Sequence, residues 1–307
     1  MKTHKIYCTT KLPFLDEVKA KFEQVEIDYW PESVNITDEA LTNVFNTYEG
    51  VITSHTVKID SRLFSDNFKV KVLSSYGTGQ DYLDKPFLIS KGIKTIAIYD
   101  DCTYSTAELA LALGLNCIRN INTSSNYVRQ GKWDTEGLTL FMGDNLVGKT
   151  WGIIGMGKIG ARLATMLKVF GCRVIYTANT DHHNKWEYCT KEELLKQSDI
   201  ISLHLPLKPD TVNYIDEAEL KLMKKTAILI NVCRGKVINN NKLYEYLKSG
   251  LIACAALDVT DPEPLNDPEV IGIPNLMITP HIGTAAAYTR RQMTYGAINN
   301  LLSVLKD

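Results

Sequence analysis

Three side chains suited to proton transfer and carboxylate binding follow apolar runs in the second half of the chain: Arg234, Glu263 and His281. Arginine binds a carboxylate through two parallel hydrogen bonds. Histidine exchanges a proton near neutral pH, and a neighbouring carboxylate orients it and favours its charged form. Taken singly, each residue also has an ordinary explanation, as a surface ion pair, a solvated loop or a structural histidine. Their shared position after strands favours a chemical role.

A dinucleotide-binding pattern precedes these residues. The apolar run 151–154 predicts a buried strand, and Gly155-Met156-Gly157-Lys158-Ile159-Gly160 follows it as G-x-G-x-x-G. A helical pattern with Leu163, Met166, Leu167 and Phe170 on one face comes next, and the run 172–176 predicts a second strand. In such a unit the first glycine allows the tight turn, the second admits a pyrophosphate and the third lets helix and strand pack. The anion binds at the helix N-terminus.

The rest of the chain alternates strands and helices, which predicts parallel sheets covered on both faces. In the first half we predict strands at 5–9, 25–29, 50–53, 70–73 and 95–98, with helices near 15–22, 37–46 and 82–91. A long helix at 103–120 has an apolar surface too broad for a solvated helix. A polar segment, 122–143, leads to the glycine-rich unit, and we assign no element to it. Further strands are predicted at 200–205, 227–232, 252–258 and 276–279, and helices at 191–196, 217–223, 241–248 and 285–305.

Composition limits the class of protein. The chain has 307 residues, 45% hydrophobic and 22% charged, with a formal net charge of −1. This length suits two domains, and the balanced charge predicts neither a nucleic-acid nor a membrane partner. Seven scattered cysteines without a C-x-x-C pair predict reduced thiols and a cytoplasmic protein. We find no ligand set with the spacing of a metal site.

Many ordered motifs resemble the D-isomer-specific 2-hydroxyacid dehydrogenases, over nearly the whole chain. They comprise 77–81, 106–108, 128–133, 146–160, 202–207, 229–235, 256–259, 263–265 and 279–283. Within that family, segments 258–265 and 289–302 are most similar to glyoxylate/hydroxypyruvate reductases. The resemblance implies two doubly wound parallel-sheet domains, a Rossmann dinucleotide domain (101–281) inserted in a flavodoxin-like substrate domain (1–100 and 282–307). It also implies a homodimer.

The resemblance assigns roles to individual residues. His281 would protonate the substrate carbonyl while the nicotinamide delivers hydride, Glu263 would hydrogen-bond the imidazole, and Arg234 would bind the substrate carboxylate. Thr78 and Gly79 would offer backbone N–H groups to that carboxylate. The predicted cofactor contacts are Gly155, Met156, Gly157, Lys158, Ile159, Gly160, Ala178, Asn179, Thr180, His204, Pro206, Val232, Cys233, Arg234, Asp258, His281 and Gly283, with Asp258 on the nicotinamide carboxamide.

Two positions depart from the family pattern. The second strand of the nucleotide unit usually ends in an acid that binds the ribose hydroxyls, and Ala178 occupies that position. The missing acid favours NADP, although no arginine takes its place and NAD remains open. Asn179, Thr180, His182, His183 or Lys185 would be the available hydrogen-bond donors. Cys233 stands where serine is common, and we predict that it packs rather than reacts.

We therefore predict reduction of a small 2-oxo acid, glyoxylate or hydroxypyruvate, to its 2-hydroxy acid by NAD(P)H. Two alternatives remain at this stage. One is a D-lactate-type or bulkier 2-oxoacid reductase of the same family. The other is a dinucleotide-sensing corepressor-like binding protein, which would not need Arg234, Glu263 and His281 together.

Overall fold

A computed structural model describes residues 3–22, 25–179 and 185–306. The chain divides into two compact units. The first unit comprises Met1–Cys102 and Thr284–Asp307, and the second comprises Thr103–Gly283. No helix among the described residues is both long and apolar enough to cross a bilayer.

The first unit contains a five-stranded parallel sheet. Its strands are β1 (His4–Cys8), β2 (Val25–Tyr29), β3 (Gly50–Thr53), β4 (Val72–Ser75) and β5 (Lys94–Ala97), in the spatial order β2-β1-β3-β4-β5. Helices α1 (Leu15–Lys19), α2 (Asp38–Thr47) and α3 (Lys85–Ser90) connect them, and a C-terminal helix, Ala287–Leu305, completes the unit. All residues of β3 and β4 are buried, because helices cover both faces of such a sheet. The strand order is that of flavodoxin-like folds.

The second unit contains a seven-stranded parallel sheet. Its strands are β6 (Thr150–Ile154), β7 (Arg173–Thr177), β8 (Glu187–Tyr188), β9 (Ile200–Leu203), β10 (Ile228–Asn231), β11 (Cys254–Leu257) and β12 (Leu276–Ile278). Its helices are α4 (Asp101–Ile118), α5 (Ile121–Arg129), α6 (Lys158–Val169), α7 (Lys191–Gln197), α8 (Glu217–Leu222), α9 (Asn240–Lys248) and α10 (Pro268–Ile271). Short 3-10 turns lie at Ser61–Leu63, Pro209–Thr211 and Gly235–Val237.

The sheet of the second unit reverses its winding direction at β6. The spatial order is β12-β11-β10-β9-β6-β7-β8, so the chain winds outward from β6 to β7 and then returns to β9 on the other side. Successive β6 residues point to opposite faces: Trp151 and Ile153 belong to one core cluster, and Ile154 to the other. In such sheets ligands bind at the carboxyl ends of the strands, beside the reversal point. The predicted fold class, two doubly wound parallel-sheet domains, is confirmed.

The structure differs from the sequence-based prediction where apolar periodicity is weak. Helix α5 lies in the polar segment to which no element was assigned, and none of its residues is buried. The edge strand β8 is only two exposed residues long. Strand β4 begins and ends two residues later than predicted, and includes the buried Ser75, whose hydroxyl oxygen accepts hydrogen bonds from Gln80 and Tyr82. Phe170, predicted on the packed face of α6, is 42% exposed.

Candidate active site

The turn between β6 and α6 has the geometry of an anion-binding loop. Gly155 has φ of +98°, and a Cβ there would lie 2.7 Å from the carbonyl oxygen of His204. A Cβ on Gly160 would overlap the carbonyl oxygen of Gly155. By contrast, apart from its chain neighbours, no atom of the described residues lies within 4 Å of a Cβ built on Gly157, which caps α6. The helix N-terminus is thus open at Gly157, where a pyrophosphate would fit.

His204 follows the neighbouring strand β9 and lies beside this turn. Its backbone N–H donates to the carbonyl of Ile154 at 2.8 Å, and its Nε2 lies 3.0 Å from Ser202 Oγ. Burial lowers the pKa of His204 to about 4, so the ring is neutral at physiological pH. Its Nδ1 is a buried polar atom with no hydrogen-bond partner in the described part of the chain. Buried polar atoms are normally hydrogen-bonded. The unsatisfied Nδ1, beside a glycine-rich turn, would suit a hydrogen bond to a polar group of a bound dinucleotide.

The end of β7 carries no acidic side chain. Ala178 is half-buried and Asn179 exposed, and the Ala178 carbonyl accepts a hydrogen bond from Tyr188 Oη at 3.4 Å. Thr180, His182 and His183, which the sequence offered as phosphate contacts, lie outside the described residues, whereas Lys185 is described and exposed. A 2′-phosphate would therefore meet no carboxylate from Ala178 or Asn179.

Arg234 is held in the loop after β10 by Asn231. The buried Asn231 donates from Nδ2 to the Arg234 carbonyl at 2.9 Å, and its Oδ1 accepts from the Cys233 backbone N–H at 3.0 Å. The guanidinium Nη1 of Arg234 donates to the Cys233 carbonyl at 2.8 Å. Gly235 has no room for a side chain, because a Cβ would overlap the carbonyl oxygen of Thr260. This close approach packs the loop after β10 against the loop after β11.

Cys233 and Val232 in the same loop are both 8% exposed. The Cys233 thiol donates to Asn231 Oδ1 at 3.1 Å, and burial raises its pKa to about 11. The thiol is therefore protonated at neutral pH and poorly nucleophilic.

Glu263 and His281 form a hydrogen-bonded pair. Glu263 Oε1 accepts from the Thr260 backbone N–H at 3.1 Å, and Oε2 lies 3.0 Å from His281 Nδ1. A carboxylate accepts but does not donate, so Nδ1 carries the hydrogen in this contact. Both side chains are about 30% exposed, at 30% for Glu263 and 29% for His281. The pair joins the loop after β11 to the loop after β12. Because Gly235 also contacts Thr260, the loops that carry Arg234, Glu263 and His281 are in contact one after another.

The backbone of His281 is held in an uncommon conformation. Its φ is +52°, in the left-handed region that only a few per cent of non-glycine residues adopt. Its N–H donates to the carbonyls of Asp258 and Thr279, both at 2.9 Å. Strain of this kind persists only where surrounding contacts enforce it, and it concentrates at functional sites.

Asp258 makes several of the contacts that hold the His281 backbone in this conformation. Its carboxylate is 1% exposed; Oδ1 accepts from Thr279 Oγ1 at 2.6 Å and from the Ile282 N–H at 2.8 Å. Oδ2 accepts from the Gly283 N–H at 2.8 Å. Burial raises the pKa of Asp258, and these hydrogen bonds oppose that shift. Asp258 therefore positions the His281 loop, with acceptor capacity left on Oδ2 for one further donor.

The remaining residues predicted to contact the cofactor or the substrate differ in their burial and lie in several different loops. Met156 and Gly283 are buried, Ile159 is half-buried and Pro206 is exposed, with its carbonyl accepting from Thr211 Oγ1 at 2.7 Å. Thr78 and Gly79 belong to the first unit, in the loop after β4. There the Gly77 N–H donates to Ser75 and its carbonyl accepts from the Ile98 N–H at 3.1 Å.

Residues that position the site were missed in the sequence. Asn231 and Thr279 bind the backbone or carboxylate of neighbouring site residues, and Gly235 allows two loops to meet. The partner of Thr279, Asp258, and the partner of Gly235, Thr260, lie more than twenty residues away along the chain, so the sequence did not indicate these contacts. Only Asn231, a polar residue ending an apolar run, carried a local indication.

Comparisons with known proteins agree with this geometry. The family described as "D-isomer specific 2-hydroxyacid dehydrogenase, NAD binding domain" matches residues 111–283, which contain the glycine-rich turn, Arg234, Glu263 and His281. The chain belongs to this family. It is thus an NAD(P)-dependent D-2-hydroxyacid dehydrogenase, and the predicted family and enzyme class are confirmed. A glyoxylate reductase from Pyrococcus horikoshii is 34% identical over 97% of this chain and 92% of its own length.

Solved structures give the same result. A glyoxylate reductase from Paecilomyes thermophila superimposes with a TM-score of 0.87 at 28% identity, covering 100% of this chain and 97% of that one. An NADPH-dependent glyoxylate/hydroxypyruvate reductase from Sinorhizobium meliloti, in complex with NADP and malonate, gives 0.86 at 26% identity, covering 99% and 94%. A nicotinamide dinucleotide is accordingly the cofactor of this dehydrogenase.

Proposed function

We propose that this dehydrogenase reduces glyoxylate and hydroxypyruvate to their 2-hydroxy acids. The observation that carries the proposal is the His281–Glu263 pair, held with Arg234 at the sheet edge that also carries the open glycine turn. The names of the relatives point to the same substrates. In this proposal the second unit binds the dinucleotide.

Each site residue has one task in this reaction. When bound, the reduced nicotinamide supplies the hydride. Arg234 binds the substrate carboxylate bidentately and fixes which face of the carbonyl is presented. His281 donates the proton on Nε2 to the carbonyl oxygen, so one hydride and one proton convert the ketone or aldehyde to a hydroxyl. Glu263 holds the imidazolium through Nδ1, and backbone N–H groups of Thr78 and Gly79 bind the same carboxylate.

The first experiment is a comparison of initial rates with glyoxylate, hydroxypyruvate, pyruvate and a branched 2-oxo acid. The proposal predicts the highest kcat/KM with glyoxylate or hydroxypyruvate. A higher value with pyruvate or the branched acid would assign the enzyme to the D-lactate-type or bulkier class instead. Failure to oxidise NADPH or NADH with any of the four would favour the corepressor-like alternative.

We also propose that NADPH is preferred over NADH, because neither Ala178 nor Asn179 offers a carboxylate to repel a 2′-phosphate. Ala178→Asp should lower the ratio of kcat/KM for NADPH to that for NADH by about 100-fold, since placing like charges together costs several kcal/mol. Ala178→Asn is the matched uncharged control and should change the ratio little. An unchanged ratio in Ala178→Asp would mean that this position does not face the 2′-phosphate.

The glycine turn gives a second prediction for cofactor binding. Gly157→Ala should leave the melting temperature unchanged, because no atom lies within 4 Å of the added Cβ, but should weaken NADPH binding by about tenfold or more. The reason is that hydrogen bonds to a charged group contribute about 1.5–3 kcal/mol. In Gly160→Ala the added Cβ would overlap the Gly155 carbonyl, which should destabilise the fold by about 1–3 kcal/mol. Calorimetric titration and thermal melts distinguish the two outcomes.

The other predicted dinucleotide contacts are part of the same proposal: Gly155, Met156, Lys158, Ile159, Asn179, Thr180, His204, Pro206, Val232, Cys233, Arg234, Asp258, His281 and Gly283. Among them, the orphaned Nδ1 of His204 has the most direct support.

Finally, we propose a homodimer in the cytoplasm. Trp133, Leu138 and Met142, in the segment after α5, are 60%, 104% and 73% exposed, and exposed apolar patches of this kind are typical of protein–protein contacts. None of the seven cysteines forms a disulfide bond in the described structure, which fits a reducing compartment. Sedimentation should give a dimer for the wild type, and Leu138→Glu should shift it toward monomer. A wild-type monomer at micromolar concentration would refute the assembly.

A further inference from the structure

A second cavity lies in the second unit, at the amino-terminal ends of its strands and away from the site just described. Its volume is about 230 Å³, and its lining includes Asn116, Cys117, Cys254 and Met277. Cys117 lies in the last turn of α4, Cys254 begins β11, and Met277 lies in β12. Three sulfur atoms from three different elements therefore border one space.

The sheet register explains why these side chains converge. Ala256 of β11 pairs with Met277 of β12. Side chains alternate along a strand, so Cys254, two residues before Ala256, points to the same face as Met277. The partly buried Cys254 and Met277 pack against the core cluster that contains Cys117. The sulfurs therefore meet between this sheet face and the end of α4.

Asn116 connects the two sides of this cavity. Its Nδ2 lies 2.8 Å from Met277 Sδ, and it precedes Cys117 in α4. Cys117, Cys254 and Met277 line the same cavity as Asn116, so the three sulfur-bearing side chains lie around one space.

We propose that Cys117, Cys254 and Met277 form a binding site for a soft monovalent cation of the copper(I) class. Thiolate and thioether sulfur are the ligands that such ions prefer. Carboxylates, which hard cations prefer, do not border the cavity among the described residues. On binding, each thiol loses its proton to solvent and three sulfur–metal bonds form, two from thiolates and one from the thioether, with no electron transferred.

The test is anaerobic titration of the reduced, full-length protein with copper(I) held by a coloured bicinchoninate chelator. The wild type should remove one equivalent per chain from the chelator. Cys117→Ser and Cys254→Ser should each weaken binding by at least about 100-fold, because losing a ligand exceeds the 10–100-fold cost of disturbing a supporting contact. Met277→Leu removes the neutral thioether, which is a weaker donor than a thiolate, and should therefore weaken binding by only about tenfold while keeping both thiols.

Cys172→Ser is the matched control, since Cys172 is also partly exposed but bonds only the carbonyl of Leu146 among the contacts described for it. It should bind copper(I) as the wild type does. Thermal melts of each variant without copper identify any that fail to fold, and X-ray absorption of the loaded wild type should show sulfur ligands alone. Any of three results would overturn the proposal. Cys254→Ser could bind copper(I) as tightly as the wild type, Cys172→Ser could lose as much copper(I) affinity as Cys254→Ser, or the absorption spectrum could show nitrogen ligands.

Discussion

Replacing His281 with asparagine is expected to lower kcat for glyoxylate reduction by about 10²–10⁴-fold, the usual contribution of a positioned general acid. Asparagine is the chosen substitution because His281 has φ of +52°, and asparagine tolerates the left-handed region better than other side chains. The loop should therefore keep its shape while the proton donor is lost. Steady-state rates with saturating NADPH measure the effect.

Two measurements separate chemistry from structure in this prediction. The melting temperature of His281→Asn should match that of the wild type, and its NADPH affinity should fall far less than its kcat. His281→Ala should lose kcat to the same extent but also lose stability, because alanine adopts the left-handed region less readily than histidine or asparagine. If His281→Asn retained wild-type kcat, His281 would not be the proton donor, and the binding-protein alternative would gain support.

Glu263→Gln should give a smaller loss of kcat than His281→Asn. The glutamine can still accept the Thr260 N–H that Glu263 Oε1 accepts at 3.1 Å, so the loop geometry is retained. What it loses is the negative charge 3.0 Å from the imidazole Nδ1, so the ring is oriented by a neutral acceptor in place of a carboxylate. A loss equal to that of His281→Asn would instead indicate that Glu263 contacts the substrate directly.

The parts of the molecule that sequence predicted well are those fixed by local constraints. The turn from β6 to α6 depends on backbone freedom and close approach within six residues, so Gly155 and Gly160 have the roles expected from their spacing. Continuous apolar runs mark the buried parallel strands, because both faces of these sheets are covered. Helix α5 and strand β8 lack such runs. None of their residues is buried, so no apolar periodicity marks either element in the sequence.

The candidate site was predictable only in its outline. The ends of β10, β11 and β12 share one sheet edge, which placed Arg234, Glu263 and His281 together. Sequence did not indicate that Asp258 would bind three donors from the next loop, because Thr279, Ile282 and Gly283 lie more than twenty residues away. Nor did it indicate the left-handed backbone of His281. Such contacts depend on tertiary structure, so they had to be observed.

The second large effect is expected from Arg234, whose guanidinium we propose binds the substrate carboxylate. Removing one partner of a hydrogen-bonded charge pair costs about 2–5 kcal/mol, so Arg234→Ala should lower kcat/KM for glyoxylate by roughly 30- to 5,000-fold. Arg234→Lys should recover only part of this, because lysine keeps the charge but lacks the planar fork. NADPH affinity should change less than glyoxylate KM.

A loop effect must be distinguished from loss of the guanidinium, because Asn231 Nδ2 bonds the Arg234 carbonyl at 2.9 Å. That bond uses only the backbone of Arg234, so it survives in Arg234→Ala. Added guanidinium ion should therefore restore part of the activity of Arg234→Ala by occupying the vacated space beside the carboxylate. It should not restore Asn231→Ala, in which the loop itself loses its support. If guanidinium rescued neither variant and both lost stability equally, Arg234 would be a structural residue rather than the carboxylate-binding one.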